Sequence, residues 1–236
     1  MDDGGKNMTD IWGIVVAAGQ SRRMGSINKV WMPFHGRPVL QWTLARLHQA
    51  GVTQGVLVIQ AADMTRAEAL LKENHWPGWR VTAGGAERYL SVLAGLKALG
   101  PRSPDEVILV HDAARFLVSS EVVERVVEKV RETGAAIPAM PVVDTVKAVA
   151  DGRIQQTVPR HTLALAQTPQ GFFYRILVES YRQWSGGVPT DDAEVVEQAG
   201  YPVFVVAGDA RNQKLTVPED IPLFERWLGA PDGGQA

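Results

Sequence analysis

Arg22, Arg23 and Lys29 set fixed positive charge in one loop, and that loop opens on an apolar run, Ile14-Val15-Val16, followed by the small residues Ala17-Ala18-Gly19. Small residues let a ligand approach the backbone closely, and glycine allows dihedrals that other residues avoid. Loop N–H groups joined by cations are what a polyphosphate needs. The apolar run reads as a buried parallel strand, so the segment reads as a strand-to-loop phosphate cradle. Spacing excludes two commoner cradles. A dinucleotide fingerprint would need G-x-G-x-x-G, but Gln20-Ser21 follow Gly19; a P-loop would need G-x-x-x-x-G-K-[ST], but Ser26 follows Gly25. A solvated loop after a core strand fits this stretch equally well.

Further along, chemistry-bearing residues recur in clusters. His111-Asp112-Ala113-Ala114-Arg115 follows an apolar run. An aspartate at a strand end near a phosphate cradle is a natural magnesium ligand, because magnesium takes one or two carboxylates plus phosphate oxygens and water. His111 reads as structural. Gly84-Gly85, with Ser91 beyond, would let a flat base or ribose pack against backbone. Thr168, in Gln167-Thr168-Pro169-Gln170, suits contact with a substrate hydroxyl or phosphate. Lys214 lies just before a helix start, where phosphate is favoured. Thr145, Lys147 and Arg160 make a basic segment suited to covering a partner's site. Each of these clusters also reads as ordinary turn or surface chemistry when taken singly.

The elements that must position them alternate between strand and helix. Val56–Ile59, Arg80–Ala83, Glu106–Val110, Ala135–Met140 and Pro202–Val206 read as strands. Helices are expected after Pro38 as far as Gly51, from Asp63 as cap to about Asn74, from Tyr89 to Gly100, and after Ser119 or Ser120 with a valine stripe. Another helix is expected at about Phe172–Trp184, one capped by Thr190, and a final one opened by a capping box at Thr216–Glu219. Pro33–Pro38 reads as a turn-rich connector. Residues 141–163 break the rhythm: Thr145–Val149 and Ile154–Val158 flank the turn Asp151-Gly152 and predict a hairpin arm leaving the sheet. The expected fold is α/β: a single, mostly parallel, Rossmann-like nucleotidyltransferase sheet with helices on both faces and a protruding β-hairpin arm, over residues 11–229. Ligands bind such sheets at the carboxyl ends of the strands, where these clusters fall.

Composition narrows the class. The 236 residues carry a formal net charge of −2, which leaves no global basic field for nucleic acid. Absence of cysteine excludes disulfides, thiolate catalysis and cysteine–zinc sites, and it fits a cytoplasmic protein. Residues 1–10 are polar without an apolar core, so no signal peptide is expected, and no apolar run approaches the roughly 20 residues of a membrane span. Residues 1–10 and 230–236 read as flexible termini.

Taken together and in order, these segments resemble the 2-C-methyl-D-erythritol 4-phosphate cytidylyltransferases. The matching pieces are Ala17-Ala18-Gly19 through Arg22-Arg23-Met24, Lys29, Gly84-Gly85 with Glu87-Arg88 and Ser91, and His111 to Arg115. Asp144-Thr145 with Lys147, Gln167 to Gln170, Thr190-Asp191, and Asn212 with Lys214 complete them. The resemblance implies transfer of cytidylyl from CTP to a methylerythritol phosphate with release of pyrophosphate. It implies that Arg23 and Lys29 stabilise charge on the pentavalent phosphate and that Asp112 holds magnesium. Ala17, Ala18, Gly19, Gly85, Ser91, Asp112, Ala113 and Arg115 would seat the nucleotide. Arg160 and Lys214 would grip the substrate phosphate, with Thr145 and Thr168 nearby. It also implies a homodimer whose arms reach into each other's sites. The sequence departs from the family pattern at Val30, Ala86, Phe116 and Pro159. A ribitol 5-phosphate cytidylyltransferase and a non-catalytic nucleotide-binding regulator are the alternative readings.

Overall fold

β1 (Ile11–Val16) lies inside the sheet between two other apolar strands, and its own apolar run is buried as a strand covered on both faces must be. The computed structural model describes residues 10–19 and 28–229. β1 pairs in parallel with β4 (Gly55–Ile59) and with β6 (Val107–Asp112), and β4 pairs in parallel with β5 (Trp79–Ala83) at one edge. Beyond β6 come β11 (Gln170–Phe173), β7 (Ala135–Pro141) and β10 (Ala164–Ala166), with β12 (Phe204–Ala207) parallel to β7. β10 and β11 run antiparallel to their partners, so the eight-stranded sheet is mostly parallel, as expected.

Helices cover both faces. α1 (Val39–Gln49), α2 (Met64–Glu73) and α4 (Ser120–Thr133) pack Leu40, Leu44, Leu70, Val122, Val126 and Val130 against Val15, Leu57 and Leu109. α3 (Arg88–Leu99), α5 (Tyr174–Gln183) and α6 (Asp192–Gln198) pack Val92, Leu96, Ile176, Leu177 and Val195 against Ile14, Val58 and Ile108. A third cluster sits under the loops, where Phe116 stacks on Phe224 at 4.9 Å and 21° and lies 5.0 Å from Phe34. Phe116 is therefore a core residue that anchors α7 (Ile221–Gly229) beneath the 112–116 loop.

The arm is present. β8 (Val146–Ala150) and β9 (Arg153–Val158) pair only with each other, and Asp151 and Gly152 both take positive φ at the turn. The expected connector at residues 33–38 is instead a small hairpin of β2 (Pro33–Phe34) and β3 (Arg37–Pro38), turned at His35 and Gly36 with positive φ.

Local details differ from expectation for physical reasons. The helix expected from Phe172 starts at Tyr174, because Gln170–Phe173 is drawn between β6 and β7 as a buried strand. The cap of α6 is Asp191, not Thr190: its carboxylate accepts the Glu194 N–H at 2.9 Å, while Thr190 donates to Glu194. Asp63 occupies the cap position of α2 but accepts from Asn28 Nδ2 at 2.9 Å instead of capping. Before α7, the carboxylate that accepts from Thr216 and Val217 N–H is Asp220, not Glu219.

Candidate active site

Parallel strands put the loops after β1, β5 and β6 at one edge, and those loops meet in a cleft of about 140 Å³. Ala17, Ala18 and Gly19 form one wall, with Lys29 beside them. Gly85 and Ser91 form a second wall, and Asp112 and Lys214 close the base. The two walls fit together only because residue 84 is glycine. A Cβ there would lie 2.4 Å from Ala18 Cβ and 2.7 Å from Ser91 Oγ. Ser91 Oγ accepts the Gly85 N–H at 3.2 Å and donates to Glu87 O, which locks the turn before α3. Lys29 Nζ donates to Leu215 O at 3.1 Å. Arg23, expected to act beside Lys29, lies outside the described residues.

The charged centre of the cleft is Asp112. Its Oδ1 accepts from Arg88 Nε at 2.9 Å and its Oδ2 from Lys214 Nζ at 2.7 Å. Burial pushes this carboxyl upward, but Arg88 and Lys214 outweigh that and hold it well below the usual carboxylate range. Arg88 also donates through Nη1 to Asp192 Oδ2 at 2.8 Å. Burial pulls the Arg88 guanidinium down, yet the Asp192 and Asp112 carboxylates more than offset it and keep it charged.

Behind the cleft wall, side chains fix the loops that carry these groups. Thr168 Oγ1 accepts the Asp112 N–H at 3.1 Å, and Arg115 Nη1 donates to Asn212 O at 2.9 Å. Asn212, fully buried, donates to Thr168 O at 2.8 Å, and Leu215 N donates to Ala114 O at 2.9 Å. Lys214 is thus carried on a segment tied at both ends to the β6 loop. Ala113 is buried, its carbonyl accepting from Thr43 at 2.7 Å. Thr168, Arg115 and Ala113 thus tie the surrounding loops together and are not among the described residues that line this 140 Å³ cleft. Thr145 and Arg160 stand on the exposed arm, where Arg160 Nη1 donates to Val143 O, and neither reaches this cleft.

Sequence reasoning assigned no site role to Arg88 or Asp192. Arg88 stood only as part of a matching glycine-turn segment, and Asp192 follows the matching Thr190-Asp191 pair. Their pairing across the fold has no spacing signature.

Magnesium bound to nucleotide phosphates takes few protein donors. Asp112 offers one carboxylate, and a carboxylate has about four lone-pair sites, so lone pairs remain beside its two cation partners. The residues present fit a metal held mostly by phosphate. Among the described residues, no group of three or more histidine, cysteine or acidic side chains is arranged to hold a metal by itself. Among the same residues, no helix is long and apolar enough to cross a membrane.

Known proteins share this architecture. A family model described as 2-C-methyl-D-erythritol 4-phosphate cytidylyltransferase matches residues 11–230. A protein of that name from Bacillus licheniformis is 41% identical over 222 residues, which cover 92% of this chain and 95% of that one. A bifunctional enzyme IspD/IspF from Caulobacter vibrioides is 42% identical over 219 residues; the match takes in 92% of this chain but 56% of that protein, so the chain spans about half its length. The crystal structure of 4-diphosphocytidyl-2C-methyl-D-erythritol synthase from Anaerococcus prevotii superposes with a TM-score of 0.82 at 31% identity, covering 93% of this chain and 96% of the other.

Proposed function

We propose, for a chain that belongs to the 2-C-methyl-D-erythritol 4-phosphate cytidylyltransferase family, the transfer of a cytidylyl group from CTP to 2-C-methyl-D-erythritol 4-phosphate. The products are 4-diphosphocytidyl-2-C-methyl-D-erythritol and pyrophosphate, a step of non-mevalonate isoprenoid precursor synthesis. The observation that carries the reading is Asp112, held between Arg88 and Lys214 at the end of β6, in the cleft that Ala17, Ala18 and Gly19 also line.

The chemistry asks for positioning and positive charge. A phosphate oxygen of the sugar phosphate attacks the α-phosphorus of CTP, and the bond to the β-phosphate oxygen breaks. Like charges must approach, so cations aimed at the transition state do most of the work. Lys29 and Arg23 supply that charge from the loop after β1. The small residues Ala17, Ala18, Gly19 and Gly85, with Ser91, seat the nucleotide. Lys214 meets the substrate phosphate, and Asp112 orients Lys214 through its Oδ2 and is the magnesium ligand. Magnesium, when bound, adds charge neutralisation at the nucleotide phosphates.

Thr145 and Arg160 act in the cleft of a second copy, in a homodimer joined through the arm. What supports this is that neither is among the described residues lining the cleft of its own chain, together with Val149 and Ile154, which stand 59% and 65% exposed on a hairpin that pairs with no other described strand. The working compartment on this reading is the cytoplasm.

The test is pyrophosphate release from CTP and magnesium, with methylerythritol phosphate and ribitol 5-phosphate in parallel. Turnover with the first and little with the second is expected. Turnover with ribitol phosphate alone would move the substrate, and CTP binding without turnover on either would favour the regulator.

A further inference from the structure

We infer that Asp192 is a positioning residue: through Arg88 it keeps one oxygen of Asp112 open to Lys214. The inference rests on the reading of the cleft as the CTP site.

An arginine facing a carboxylate tends to engage it fork to fork, with parallel N–H donors on both oxygens. Arg88 does not do this. It meets only Oδ1 of Asp112, through Nε at 2.9 Å, and Lys214 Nζ takes Oδ2 at 2.7 Å. The difference lies on the far side of the guanidinium, where Nη1 is drawn to Asp192 Oδ2 at 2.8 Å. Nη2 is buried and has no partner among the described residues. The guanidinium is therefore not set by satisfying every donor. It is set by carboxylates pulling from two sides.

Asp192 is built to hold still. It has no exposed surface, its Oδ1 accepts the Tyr181 O–H at 2.6 Å, and its N–H donates to Gln170 Oε1 at 3.0 Å. Gln170 also accepts from Ala193 N and donates to Asp191, so the first turn of α6 is fixed to β11. The charges of Asp112, Asp192, Arg88 and Lys214 sum to zero. Without the charge on Asp192, Arg88 turns its fork onto Asp112, occupies Oδ2 and displaces Lys214.

The experiment compares wild type, Asp192→Asn, Arg88→Gln and the double variant by crystal structure, calorimetric CTP affinity and steady-state kinetics. In Asp192→Asn, Arg88 should contact both Asp112 oxygens and Lys214 Nζ should leave Oδ2. Its kcat should fall about tenfold, the size expected of coupled contacts, while CTP affinity holds or tightens because the cleft has gained positive charge. Adding Asp192→Asn to Arg88→Gln should cost nothing further. An unmoved Arg88–Asp112–Lys214 arrangement, or an equal tenfold loss in both backgrounds, overturns the proposal. So does a parallel loss of CTP affinity and kcat. If Asp192→Asn does not fold, Tyr181→Phe carries the same test: a smaller kcat loss that vanishes in Arg88→Gln supports it, and one that persists there overturns it. Absent turnover in wild type would refute the assigned reaction, while the structures of the variants still decide the role of Asp192.

Discussion

His111 Nδ1 lies 3.0 Å from the Thr168 hydroxyl, and that same hydroxyl accepts the backbone N–H of Asp112 at 3.1 Å. A hydroxyl accepting from one side gives its proton to the other, so Nδ1 is an acceptor. Nε2 then carries the ring proton toward Arg115 O at 3.2 Å. The ring is wired neutral. Burial pushes it from its ordinary 6.5 down to about 4, with the neighbouring Asp112 carboxylate only partly offsetting that.

This wiring predicts an acid-labile fold. The unfolded chain takes a proton on His111 near 6.5, whereas the folded chain resists until about 4. The unfolded state thus binds more protons in that window, and stability falls as pH drops through it. At about 1.36 kcal/mol per unit the loss is roughly 3 kcal/mol by the lower end. Below the window Asp112 adds to it, since its folded value lies beneath the ordinary 3.8. Urea midpoints from about pH 7.5 to about pH 4.5 should decline, and His111→Gln should flatten the slope. An equal slope in the variant removes His111 as the cause.

Thr168→Val keeps the shape and deletes the hydroxyl. The Asp112 N–H and His111 Nδ1 both lose their partner in a buried place, which costs about 1–3 kcal/mol. Thermal melting should show this loss, and Thr168→Ser, which restores the hydroxyl, should recover most of it. Recovery failing in the serine variant would point to the methyl group instead.

Lys29→Ala should lower kcat by about 10²–10³ with little change in the KM for CTP, the signature of a charge used mainly in the transition state. Initial-rate kinetics check it. An unchanged kcat takes Lys29 out of the chemistry.

Arg160→Ala and Lys214→Ala chains should each be nearly inactive. Mixed after dissociation and reassociation, they should regain part of the wild-type rate, because one cleft in the mixed dimer holds an intact lysine and an intact arm. No recovery would assign Arg160 to its own chain or to no site.

The sheet was legible because its central strands are dense apolar runs such as Val107–Val110, and the valine stripe of α4 repeats at helical spacing. The arm was legible from Asp151-Gly152 between β-like pieces. The cleft walls followed from small residues after β1 and β5. β11 was not legible: Gln170-Gly171-Phe172-Phe173 has no alternation to mark it, and only insertion between β6 and β7 makes it a strand. Thr168 was read as a ligand contact from its type and place, and Arg115 from the family resemblance; the bonds by which they tie the β6 loop to other segments depend on tertiary packing and have no sequence signal. Arg88 and Asp192 escaped for the same reason, since their ion pair spans 104 residues of sequence.

That long reach bears on how the chain comes into being. Arg88 precedes Asp112 by 24 residues, but Lys214 follows it by 102. On the ribosome the amino-terminal segments emerge first. A growing chain would hold the Ala17–Gly19 and Gly85–Ser91 segments, Arg88 and Asp112 while Asp192 and Lys214 were still unmade. In that interval Arg88 lacks the second carboxylate, Asp192 Oδ2, that it meets in the complete chain. The four-charge arrangement around Asp112 is therefore one of the last parts of the domain that can be assembled, since two of its members lie in the final quarter of the chain.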